Sequence, residues 1–186
     1  MRGPKPFGTR SEPEFRLRPL TRSIQLALVP GLIMSLTPGG ALAAPAGGVV
    51  KAGKAAIAQN ASKSRTTITQ QSQRAAIDWQ SFNVSKNQSV NFKQPNAKSA
   101  TLNRIFDQNP SQIFGSVKAN GQVVLMNPNG VFFKPGSQVN VGSLIAGAMR
   151  IGIDDFMRGS YRLEALKDAN SRVVNEGTIE AAVGGD

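Results

Sequence analysis

The stretch Gly115–Ala146, GSVKANGQVVLMNPNGVFFKPGSQVNVGSLIA, decides the fold. It consists of short apolar runs separated by turn residues, with Asn127-Pro128-Asn129-Gly130 at its middle. Proline presets the backbone for the first central position of a turn, and Asn then Gly tolerate the left-handed values that follow. Val123-Val124-Leu125-Met126 leads into this turn and Val131-Phe132-Phe133 leads out. Val139 and Val141 then alternate with Gln138 and Asn140, the period of a half-buried strand.

The same pattern extends outward in both directions. Thr66, Thr67 and Ile68 are β-branched, and Ile77 and Trp79 share one strand face. Phe82 and Val84 switch parity, which places a bend or bulge near Gln80-Ser81. Segments around Val84, Phe92, Leu102, Val117, Val124 and Val141 follow at short intervals, with Asn, Gly, Pro and Ser between them. Regular short strands of this kind build a sandwich, a barrel or a β-solenoid. Asn120-Gly121 as a two-residue hairpin would favour the first two. Val173–Ala181, with Asn175 and Gly177 cornering between two short strands, reads instead as one coil of a stack. Helical patterning is confined to a weak Lys54–Ala58 run and a turn or two over Arg162–Ala169.

The 186 residues include neither cysteine nor histidine. That composition excludes Cys/His nucleophile pairs, serine–histidine triads and most zinc sites, and no cofactor or metal site is expected. The formal charge of +11 raises nucleic acid as a partner. Position argues against it. Arg2, Lys5, Arg10, Arg16, Arg18 and Arg22 lie in a leader whose acids are Glu12 and Glu14. The remaining positive charge is dispersed and is not interleaved with aromatic residues, as a base-stacking platform requires.

Residues 1–43 have the layout of a secretory signal. A basic n-region precedes the apolar run Ile24–Leu36, and Ala41-Leu42-Ala43 supplies the small-x-small pattern that a signal peptidase accepts. Cleavage after Ala43 leaves Ala44 as the new N-terminus. A membrane anchor needs about 20 apolar residues, whereas this run is shorter and is broken by Pro30-Gly31. Residues 44–64 are small and polar, either a lead-in or a cap over the first strand, and residues 65–186 form the β-domain. The sequence stops at Gly184-Gly185-Asp186 just as coils begin. It is therefore either the N-terminal piece of a longer repeat protein or a short form with an exposed last rung.

Several motifs then recur in a fixed order. They are Ile77–Val84 (IDWQSFNV), Leu102–Ile105 (LNRI), Asn109–Gly115 (NPSQIFG), Ala119–Val123 (ANGQV), Asn127–Val131 (NPNGV), Val139–Gly142 (VNVG) and Asp154-Asp155-Phe156. In that order the chain resembles the N-terminal secretion domain of filamentous-haemagglutinin-like exoproteins, the two-partner secretion domain. The resemblance implies an all-β fold, a right-handed parallel β-helix with an N-terminal cap and small antiparallel extra strands. It also implies export by the general inner-membrane machinery and then by an outer-membrane β-barrel transporter that recognises this domain. The product would be secreted or held at the cell surface, having passed through the periplasm. Two departures stand out: Gly147-Ala148 occupies the place of a frequent Ser-Thr pair, and residues 1–22 lack the family's extended-signal consensus.

On this basis Asn127, Pro128, Asn129 and Gly130 are the candidate site, either read by the transporter or needed only to turn the chain. Ala41, Ala43 and Ala44 mark the signal cleavage. No residue is expected to be catalytic. Asp154-Asp155 is the paired carboxylate, but neighbours on a strand point to opposite faces and cannot flank one glycosidic bond. The alternative function is a stand-alone adhesin whose Thr, Asn and Gln ladders bind a carbohydrate or protein on a host surface.

Overall fold

The computed structural model describes Gly3, residues 44–165 and residues 171–182. Ala41, Ala43 and, apart from Gly3, the rest of the leader lie outside the described residues. Two strands come first, β1 (Val49–Ala52) and β2 (Ala55–Gln59). The first coil contains β3 (Arg65–Gln70), β4 (Arg74–Trp79) and a single bridge at Val84. The second coil is β5 (Ser89–Lys93), β6 (Ala100–Ile105) and β7 (Ser111–Ile113), and the third is β8 (Ser116–Ala119), β9 (Gln122–Met126) and β10 (Val131–Phe133). The fourth opens with β11 (Gln138–Val141) and β12 (Ser143–Gly147). The chain then leaves the stack through β13 (Met149–Ile151), α1 (Ile153–Met157) and β14 (Leu163–Ala165). It returns as β15 (Val173–Asn175), and β16 (Thr178–Ala181) follows.

These coils stack into a parallel β-solenoid of roughly three turns. Successive strands β3, β5, β8, β11 and β16 pair in parallel, as do β4, β6, β9 and β12, and also β7, β10 and β15. The register is unbroken: Arg65 lies on Ser89, Ser89 on Ser116 and Ser116 on Gln138. Each coil therefore satisfies its main-chain groups on the coils above and below, and alternate side chains turn inward.

The inward set makes the core. Ile68, Ile77, Phe82, Val90, Val117 and Val123 are each fully buried in one cluster that runs through the coils. The polar groups of Trp79 and Asn103 sit among them because their hydrogen bonds are met. Trp79 Nε1 donates to Asn103 Oδ1 at 3.0 Å, and Asn103 Nδ2 donates to the Val124 carbonyl at 3.2 Å, so the buried amide joins three successive strands. A second cluster lies on the outer face of the β4–β6–β9–β12 sheet, where Ala76, Leu102, Val124 and Met126 are covered by Ile151 and Phe156 of the excursion. Arg74 locks that cover down. Its guanidinium lies 5.2 Å from the Phe156 ring centre and 5.5 Å from that of Tyr161, and it donates to the Tyr161 hydroxyl at 3.1 Å.

Residues 49–59 close the first coil. β1 runs antiparallel along β4, and β2 runs antiparallel along β3, so both exposed edges of that coil are paired. The parallel β-helix with an antiparallel cap agrees with the family expectation, and the β13–β14 pair supplies the extra antiparallel strands. Three local expectations are corrected. Lys54–Ala58 is not helical; Ala55–Gln59 is a strand, because pairing along β3 outweighs alanine's helical propensity. Within Arg162–Ala169, Leu163–Ala165 is likewise a strand and residues 166–169 lie outside the described residues; the α-helix among the described residues is Ile153–Met157. Asn120-Gly121 makes no hairpin: β8 and β9, which it joins, belong to different sheets. Near Gln80-Ser81 the chain bends into the next side of the coil, and the Ser81 main chain bridges Ala46.

Candidate functional site

Asn127–Gly130 forms the corner between β9 and β10. The Gly130 amide donates to the Asn127 carbonyl at 2.9 Å, closing the turn, and Asn127 Oδ1 accepts the Asn129 amide at 2.9 Å. Gly130 has φ +108°, where a side chain is strained, and a Cβ there would come within 2.7 Å of the Arg172 carbonyl. Asn127 is fully buried. Its Nδ2 reaches the coil below, donating to the Asn109 carbonyl at 3.1 Å and to Ser111 Oγ at 3.0 Å. The Asn127 amide meets the coil above, donating to the Gly147 carbonyl at 3.1 Å. Asn129 is exposed, and its Nδ2 donates to the Asp107 carbonyl at 2.6 Å. Ser171 Oγ bonds the Pro128 carbonyl, so the returning excursion also clasps the corner.

Beneath it lies a second corner, residues 106–110, that the sequence reading left unassigned. Asp107 Oδ1 accepts the Asn109 amide at 2.9 Å, and Asn127 and Asn129 both bond to this turn. The clue was the Asn-Pro dipeptide at Asn109-Pro110, which repeats the Asn-Pro of the corner above. Beside the two corners is a cleft of about 200 Å³, walled by Phe106, Met126, Pro128, Met149 and Ile151, with Arg150 and Glu164 at its margin. Phe106 and Met149 are exposed at 55% and 37%, an unusual apolar concentration on so polar a molecule. Arg104 lies 5.6 Å from the Phe106 ring centre and grips Asp78 with two bonds of 2.7 and 2.8 Å.

The opposite end of β9 has its own stitching. Gln94, buried between coils, accepts the Gly121 amide on Oε1 at 2.8 Å. Its Nε2 reaches Thr101 Oγ1 and the Gln122 carbonyl, both at 3.0 Å. Asn120 exchanges two 2.8 Å bonds with the Gln94 main chain. Sequence reasoning missed Gln94 and Asn103 because a polar residue at an inward position resembles one in a turn.

Ala44 is buried, and Ala46 two residues on is bonded to Ser81. Asp154 and Asp155 occupy the first turn of α1, not a strand, and Asp155 pairs with Arg158 at 2.5 Å. Among the described residues no three carboxylates gather in a metal-binding arrangement.

The class that the fold defines is a capped parallel β-solenoid with stacked asparagine corners. The chain belongs to the TPS secretion domain family, whose model matches residues 41–186. A heme/hemopexin-binding protein of Haemophilus influenzae is 39% identical over 138 residues, 73% of this chain and 15% of that protein. A second protein of that name from Haemophilus influenzae is 45% identical over 82 residues, 44% of this chain and 9% of its own length. The HMW1 secretion domain from Haemophilus influenzae superposes with a TM-score of 0.68 at 31% identity, covering 73% of this chain and 36% of that one. The chain thus spans a small part of the curated relatives it matches. The TPS class implies a cognate outer-membrane transporter.

Proposed function

We propose that this domain is exported to the cell surface or medium by being read in an extended state, and that coil-by-coil folding outside completes its exit. Residues 1–43 direct it through the general inner-membrane machinery, and signal peptidase cuts after Ala43. The outer-membrane β-barrel partner then takes the unfolded domain from the periplasm. The observation that carries this proposal is the burial of Asn127. Its side chain is spent on Asn109 and Ser111 of the coil below, so a partner can touch it only before the third coil closes on the second.

The stacking chemistry supports the same order of events. Every coil adds by pairing its backbone with the edge of the coil before, and a strand edge on the transporter would hold an extended segment by the same bonds. Exchange of one edge for the other releases the chain from the transporter as it folds. A folding free energy of about 5–15 kcal/mol is enough to bias passage outward without nucleotide hydrolysis.

The test is export of Asn127→Ala and Asn129→Ala in cells that carry the partner transporter, alongside the melting temperatures of the purified variants. Loss of export at a temperature where the purified variant is still fully folded assigns recognition to that residue. Full export of both variants, each normally folded, removes both from recognition.

A further inference from the structure

We infer that the outward face of the six-stranded sheet binds a sulfated polysaccharide. The face consists of the alternate side chains of β3, β5, β8, β11 and β16 that the core does not use. Because the register is unbroken, they stand in straight rows: Thr67 lies beside Asn91, Asn91 beside Lys118, and Lys118 beside Asn140. Neighbouring strands lie about 4.8 Å apart, so hydroxyl and amide groups recur along the solenoid at a spacing close to one sugar ring. Shallow grooves of about 450 and 520 Å³ run between these rows.

The charge on the face is one-sided. Arg65, Lys93 and Lys118 stand on three successive strands, and none of them makes an ion pair among the described residues. The carboxylate on this face, Glu180, lies at the far end on β16, where it accepts Asn140 Nδ2 at 3.3 Å. Between the cations the groove is lined by Thr67, Ser89 and Asn91. Sulfates would meet the cations, and ring hydroxyls would meet the Asn, Ser and Thr rows. The face offers no aromatic ring, since Phe92 points into the core, so nucleic-acid bases find no stacking surface.

The experiment measures affinity of the full chain for heparin, chemically desulfated heparin and a DNA duplex. Heparin is expected to bind at least tenfold more tightly than either comparison ligand. Lys93→Gln/Lys118→Gln is expected to weaken heparin binding at least tenfold, whereas Lys51→Gln/Lys54→Gln on the cap changes it less than twofold. The neutral variant Asn91→Ala/Asn140→Ala removes no charge and is expected to weaken heparin binding about threefold. Absence of heparin binding overturns the inference, as does equal loss from both lysine pairs or equal affinity for DNA. An unchanged affinity in the asparagine variant also overturns it, by reducing the contact to charge alone.

Discussion

The two ends of β9 are both turned by an Asn and a Gly, and both are stitched to the coil below, but only one of them meets a side chain rising from that coil. At Asn120-Gly121 the stitch runs both ways: Gln94, already in place on the second coil, receives the Gly121 amide and bonds the Gln122 carbonyl, and the Asn120 side chain exchanges two bonds with the Gln94 main chain. At Asn127–Gly130 the upper coil reaches down, since Asn127 brings its own donor to Asn109 and Ser111. One corner is a socket prepared in advance and the other is a plug that arrives with the new coil. A stack that grows from its cap needs both: the socket sets where the next coil begins, and the plug holds it once laid.

The comparison breaks first at Gln94. Gln94→Ala removes bonds to two coils at once and strands the Gly121 amide, for a loss of about 3 kcal/mol. At roughly 3 °C per kcal/mol for a domain of this size, calorimetry is expected to show a fall of about 9 °C. Asn127→Ala comes next, at about 2 kcal/mol, because Ser111 Oγ and the Asn109 carbonyl lose their buried partner. A melting temperature for Asn127→Ala equal to that of the parent would show that the plug carries no weight in the folded stack. Asn129→Ala is expected to cost less than about 1 kcal/mol, since the Asp107 carbonyl it leaves is exposed to water. Smallest is Asp78→Asn, which weakens the Arg104 pair at the rim of the cleft. Both partners are partly solvated, so chemical denaturation should register only about 0.5 kcal/mol.

These contrasts also show what the sequence could convey. β11 was legible because Val139 and Val141 alternate with Gln138 and Asn140, and each valine turns inward against the core. Gly177 was legible as the corner between β15 and β16 for a similar local reason. β2 was not, because Ala55–Gln59 has no strand pattern of its own and becomes a strand by lying along β3. α1 is only five residues long, too short to show a helical period. The socket was invisible too: Gln94 looks like a loop residue until Gln122, Thr101 and Gly121 surround it. Arg74 holds Phe156 and Tyr161 across more than eighty positions of chain, and no local motif announces such a contact. The Asn-Pro-Asn-Gly run pointed to a turn, but its spacing could not tell that Asn127 would be buried and Asn129 exposed.

Passage in an extended state is the claim on which the functional account stands, and the chain's lack of cysteine allows a clean trial. Ser89 and Ser116 pair directly across β5 and β8, at a separation that a disulfide can bridge. Secretion of Ser89→Cys/Ser116→Cys through the partner transporter should stop when the pair is oxidised in the periplasm and resume when reductant is added. Export of the oxidised, cross-linked domain at the parent rate would contradict the account.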